Sequence, residues 1–133
     1  MDFNLIKNDI LGEDYDLSLA FISAKKSREI NKTYRKKNKP TNVLSFPLSK
    51  TEGEILICKE VAKKEASKFD KTLDQFIGFL VIHGLLHLKG MQHGSIMEKA
   101  EKKYDQKYFY RNRRGLINDK SRGGRISKRR KKS

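Results

Sequence analysis

Two spacings of hydrophobic positions alternate along the chain. In Asp16–Ile22, Leu17, Leu19 and Phe21 recur at every second residue, which predicts a strand with one apolar face. The residues ahead of it read as another short strand, so the N-terminal stretch is expected as two strands. Ser23 offers an N-cap, and Lys25 to Arg35 reads as a helix by composition, with a thin apolar face of Ile30 and Tyr34. Pro40 closes that helix region, and extended structure is expected from Asn42 to Phe46. Leu48 to Gly53 reads as a polar connection, and Glu54 to Cys58 as an apolar strand that pairs with its predecessor.

The pattern then shifts to the helical period. Lys59 to Phe69 sets Val61, Ala62, Ala66 and Phe69 roughly on one side. Thr72 and Gln75 form a capping-box pair that opens a helix from Leu73 to Leu88. This helix is apolar nearly all round, so it is expected at the centre of the core. Gly90 is a natural stop, and Ser95 with Glu98 forms a second capping-box pattern opening a last helix to about Tyr110. Strands, a helix, two strands and three helices make an α+β fold, with a small sheet covered by helices on one side.

Length and charge sharpen this picture. A chain of 133 residues suits one domain with one modest core. The longest apolar run, Phe76 to Leu88, is broken by His83, Gly84 and His87, and is too short for the roughly 20 residues of a membrane span. The first residues lack the basic-then-apolar order of a secretion signal. The single cysteine, Cys58, has no internal partner for a disulfide, which fits a reducing cytoplasm.

The net charge is +15, and the last 23 residues, with 11 basic residues and one acid, supply +10 of it. Residues 1–110 are therefore expected as the folded domain and 111–133 as a disordered basic arm. The arm has no aromatic side chain to stack on bases, so Arg111, Arg113, Arg114, Lys128, Arg129 and Arg130 are candidate phosphate contacts with little sequence preference. A merely solubilising tail is the competing explanation. No amphipathic apolar stripe accompanies the charge, so nucleic acid is a better partner than a membrane surface.

All three histidines fall in HGLLHLKGMQH, His83 to His93, with the spacing H-x3-H-x5-H. In a helix, His83 and His87 lie one turn apart on one face, roughly 6 Å along the axis. Gly90 permits the sharp turn that brings His93 back under the helix end. Three imidazoles with one open position make a catalytic zinc arrangement, since a structural site is closed by four protein ligands. Satisfied or solvated histidines are the bland alternative. Burying two unpartnered imidazoles on an apolar helix is costly, however, and a metal removes that cost.

Zinc peptidases with related spacing carry a glutamate after the first histidine as general base. Here that residue is Gly84. Two routes replace the base: an ion can lower the pKa of its water to about 7, or the substrate can bring its own nucleophile, as the 2′-hydroxyl of RNA does.

YRKKNKPTNVLSFP (Tyr34 to Pro47), EGEILI (Glu52 to Ile57) and HGLLHLKGMQH, followed by Met97 and Glu101, resemble in that order the motifs of the YbeY family. The resemblance runs from about Arg28 to Asp105. It implies a small mixed β-sheet covered by helices, with a metal site at the end of a buried central helix. It implies one Zn2+ per chain on His83, His87 and His93, and Arg35 in the cleft, binding or stabilising the scissile phosphate. The activity implied is that of a single-strand-specific, zinc-dependent endoribonuclease in the cytoplasm. Its role would be ribosomal RNA processing, namely 3′-end maturation of small-subunit RNA, and ribosome quality control. The implied partners are RNA, the small ribosomal subunit and a ribosomal protein, with no membrane. The alternative is a non-catalytic RNA-binding assembly factor with a structural metal.

Thr41, Asn42 and Ser45 suit turn and strand chemistry as well as a role at the site. Three features depart from the family pattern. Gln92 stands where an aspartate is common, the N-terminal region leaves little room for a helix between the first two strands, and the basic tail lies outside the family core.

Overall fold

The computed structural model describes residues 3–110. Its elements are α1 (Asn4–Leu11), β1 (Asp16–Ile22), α2 (Ala24–Arg35), β2 (Val43–Ser49), β3 (Glu52–Cys58), α3 (Lys59–Lys68), α4 (Leu73–Leu88) and α5 (Ser95–Asp105). A π-helical turn, Gln106–Tyr110, closes the described chain. The strand order is β1-β3-β2, with β1 parallel and β2 antiparallel to β3. The fold is therefore α+β with a small mixed sheet.

The N-terminal expectation was wrong in one element. The segment expected as a first strand is the helix α1, and β1 is the one strand in that region. Ile6 and Ile10 stand four apart and are each 2% exposed, so the segment buries one helical face rather than alternating. Its end is held by the Lys7 ammonium, which donates to the carbonyls of Gly12 and Glu13, each at 3.2 Å. Lys89, the C-cap of the central helix α4, also donates to the Ile10 carbonyl at 3.0 Å.

The region expected as a polar connection, Leu48 to Gly53, belongs mostly to a tight hairpin. Only Lys50 and Thr51 lie between β2 and β3. The central strand β3 pairs on both sides, and Ile55, Leu56, Ile57 and Cys58 are all buried.

Helices also cover more than one face of the sheet. Ser45 of β2 points to α4, where its hydroxyl donates to the Gly84 carbonyl at 3.0 Å. The next residue, Phe46, points the other way, and meets Tyr34 of α2 edge-on with ring centroids 5.3 Å apart. The expected apolar face of α2 is indeed thin, and its buried residues are the polar Ser27 and Asn31. Ser27 Oγ donates to the Thr41 carbonyl at 2.8 Å and accepts from the Thr41 amide at 2.9 Å. Asn31 Nδ2 donates to the Lys39 carbonyl at 2.8 Å. The basic loop after α2 is thus pinned from beneath by two buried hydrogen-bonding side chains.

The central helix matches its pattern closely. Thr72 and Gln75 form the complete capping box, and nine residues of α4 are buried, which makes it the spine of the core. Its end is a Schellman motif. The Gly90 amide donates to the His87 carbonyl at 2.9 Å and the Met91 amide to the Leu86 carbonyl at 3.0 Å. Gly90 has φ +106°, which side-chain-bearing residues resist. The second capping box is not formed: Gly94 is the N-cap of α5, Ser95 is already helical, and no side chain caps the end.

On α5, Met97, Glu101 and Asp105 recur every four residues along the face turned to the core. Met97 is 2% exposed and anchors the helix there. Among the described residues, no helix is long and apolar enough to cross a membrane. Arg111, Arg113, Arg114, Lys128, Arg129 and Arg130 lie outside the described residues.

Candidate metal centre

His83 and His87 project from the last turns of α4, and His93 returns to them through the turn at Gly90. One ring nitrogen from each lies within 4.8 Å of the others. The ring centroids are 4.6 Å apart for His83–His87, 4.7 Å for His87–His93 and 5.3 Å for His83–His93. The sequence spacing and the turn thus achieve the convergence expected of them.

The outer nitrogens explain how the rings are aimed. His87 Nδ1 lies 3.1 Å from the Met91 carbonyl. A carbonyl only accepts, so Nδ1 carries the proton and Nε2 presents a lone pair. The Schellman turn therefore stops the helix and also swings the Met91 carbonyl back to fix this tautomer. His83 Nδ1 is hydrogen-bonded to Glu101 Oε2, one turn beyond the Met97 anchor on α5. The two side chains are 21% and 12% exposed, so the pair is largely shielded from water.

With both Nδ1 atoms committed, the Nε2 atoms of His83 and His87 face each other at 3.2 Å. Two neutral imidazoles in this tautomer cannot hydrogen-bond through those atoms, because both are acceptors. A cation between them resolves the conflict. Two metal–nitrogen bonds of about 2.0–2.1 Å, opened near the tetrahedral angle, span about this separation. The His87 pKa is lowered by burial first, then by the neighbouring His83 and His93. The neutral, ligating form is thereby favoured. The three residues fit a metal ion, and the exposed His93 leaves one side open.

That side opens on a cavity of ≈ 170 Å³ lined by Phe79, His83, His93, Gly94, Met97, Glu98 and Glu101. Gly84 does not line it. A Cβ at Gly84 would lie 2.9 Å from Cδ1 of Ile55, a fully buried residue of the sheet. The position held by the catalytic glutamate in zinc peptidases is therefore packed against β3, with no room for a side chain.

The three histidines come together, and Arg35 is not among the residues that line the cavity beside them. Arg35 is exposed in the last turn of α2, next in sequence to Tyr34. Gln92 is exposed next to His93. The neighbouring motif residues have structural work: Thr41 holds Ser27, Asn42 donates to Glu65 Oε1 at 2.6 Å, and Ser45 ties β2 to α4. The residue whose role sequence reasoning missed is Glu101. As an acid on a helix after the site, it also reads as an ordinary surface group. The available signal was physical: a ligating imidazole usually gives its other N–H to a carboxylate or carbonyl.

Residues 3–112 match the profile of the family described as Endoribonuclease YbeY. The chain belongs to the YbeY family. YbeY relatives include one from Colwellia psychrerythraea named Endoribonuclease YbeY, 42% identical over 96 residues, covering 67% of this chain and 62% of that protein. Another of that name, from Staphylococcus carnosus, is 36% identical over 109 residues, covering 73% of this chain and 69% of that one. The match thus spans slightly less than two thirds of the first relative and slightly more of the second. The YbeY fold seen here also resembles the solution structure of TM1509 from Thermotoga maritima. The TM-score is 0.58 with 30% identity, over 77% of this chain and 76% of that one.

Proposed function

We propose that this chain is a metal-dependent endoribonuclease that hydrolyses phosphodiester bonds in single-stranded RNA. The observation that carries this is the pair of inward-facing Nε2 atoms of His83 and His87, with His93 beside them and a cavity at the open side. The YbeY relatives, named endoribonucleases, support the reaction class. Three imidazoles and an open position suit zinc, one ion per chain. Such an ion would polarise a phosphoryl oxygen and lower the pKa of a bound water.

The chain's own residues supply the rest. Glu101 and the Met91 carbonyl hold the ligand rings in the metal-binding tautomer. Position 84 is closed, which weighs against a peptidase mechanism built on a base at that residue. Arg35 is proposed to bind the RNA backbone from the exposed end of α2, at the head of the loop pinned by Ser27 and Asn31. The basic residues Arg111, Arg113, Arg114, Lys128, Arg129 and Arg130 would add phosphate contacts. The substrate is proposed to be ribosomal RNA on the small subunit, at its 3′ end, with roles in maturation and ribosome quality control in the cytoplasm. A ribosomal protein would dock the enzyme there.

The test is cleavage of a single-stranded RNA by zinc-loaded protein, compared with His87→Ala and Arg35→Ala. Loss of activity in His87→Ala and a weakened RNA affinity in Arg35→Ala are expected. Equal cleavage by all three proteins rejects the proposal.

A further inference from the structure

Hydrolysis of a phosphodiester needs an acceptor for the proton of the attacking hydroxyl. Gly84 cannot supply one, because its Cβ direction runs into Ile55. Glu101 cannot serve freely, because its carboxylate is engaged by His83. Among the described residues, the cavity beside the histidines has one more carboxylate in its lining, Glu98.

Glu98 lies three residues before Glu101 on α5, so the two share a face of that helix. Its own side chain is exposed, whereas Glu101 is nearly covered. The two acids of the cavity thus have different situations. One is enclosed and spent on a ligand ring, and the other is wet and opens on the space where a substrate would sit. We infer that Glu98 is the general base of this site, a catalytic residue that takes the proton of the attacking hydroxyl. The inference rests on the cleavage activity proposed above.

In the step, a Glu98 carboxylate oxygen accepts the proton of the attacking hydroxyl, from water or from the RNA ribose. The hydroxyl oxygen bonds to phosphorus, the bond from phosphorus to the leaving oxygen breaks, and that oxygen takes a proton from solvent. No electron transfer is involved. The anchoring of α5 by Met97 holds Glu98 at the cavity edge, at a distance a long flexible side chain can adjust when RNA is bound.

The experiment compares wild type with Glu98→Gln, which keeps the size of the side chain and removes its basicity. Three quantities are read: zinc affinity by competition with a chromophoric chelator, affinity for a non-cleavable single-stranded RNA, and single-turnover cleavage rate. Glu98→Gln should keep both affinities within about threefold and cleave about 10²–10⁴-fold more slowly. Glu98→Asp should fall between the two. Cleavage by Glu98→Gln within threefold of wild type overturns the inference, as does a tenfold loss of zinc affinity, which assigns the carboxylate to the metal instead. Failure of wild type itself to cleave RNA rejects the endoribonuclease reading, and the role of Glu98 with it.

Discussion

Glu101 and Gly84 show how single residues set the chemistry of this site. Glu101 fixes the His83 ring by holding its outer nitrogen, so its removal should leave three histidines less well aimed. Glu101→Gln should bind zinc about 10–100-fold more weakly in a chelator competition, with little change in fold by circular dichroism. Unchanged affinity would mean that the carboxylate has no part in orienting the ligand. Gly84 is a packing requirement. A methyl group there meets Ile55 inside a filled core, which outweighs the better helix propensity of alanine. Gly84→Ala should lower stability by about 1–2 kcal/mol in urea unfolding. At this scale the convergence of the three histidines was legible from their spacing and the Gly90 turn, because a helix fixes where residues four apart point. Glu101 was not, because its partner lies 18 positions away and depends on the register between two packed helices.

Elements were legible where local signals agreed. The capping box and apolar run marked both the start and the nature of α4, and period-two alternation marked β1 to its observed bounds. Hydrophobic signals were weak in α1, which was misread, and in α2, which was found from its composition and its Ser23 cap. In α1, two isoleucines four apart are the only fully buried apolar residues, too few to stand out in a short segment. In α2 the buried face is polar, so no hydrophobic period could reveal it; its partners are backbone groups of the 39–41 loop.

The docking of α1 leads to a pH prediction. Lys107 and Tyr108 of the π-helical turn both donate to Asp9 Oδ2 at 2.6 Å, joining the two ends of the described chain. The Asp9 pKa is lowered, first by the Lys107 hydrogen bond and then by that of Tyr108. A carboxylate whose pKa is lowered by folding stabilises the fold above its unfolded value of 3.8, and this contribution fades as pH falls through the folded value. The pair is partly exposed, so the effect is small. Asp9→Asn should cost up to about 1 kcal/mol at pH 7, and the difference in melting temperature from wild type should shrink below about pH 4. A difference that stays constant down to pH 2 contradicts the role of this ion pair.

At the scale of the molecule, charge and site have to be considered together. The described residues place the three histidines at one end of a buried helix, and the densest positive charge follows in the sequence at residues 111–133. If the tail binds RNA phosphates, truncation after Tyr110 should weaken RNA binding and flatten the dependence of log affinity on log salt. An identical salt slope would leave the tail without a part in binding. The α+β class and its central helix followed from the order of patterns. The mixed pairing of the sheet did not, since strand direction is set by how the chain crosses over and not by any one strand's residues.

The central claim is that the three histidines hold one ion and that RNA cleavage depends on it. The most direct measurement strips the protein of metal, adds zinc back in fractions of an equivalent, and follows cleavage of a single-stranded RNA at each point. Cleavage should be absent at the start, rise in proportion to zinc, and level off at one equivalent per chain, with no rise in His93→Ala. Full cleavage by the metal-free protein, or a rise in His93→Ala equal to that of wild type, contradicts it.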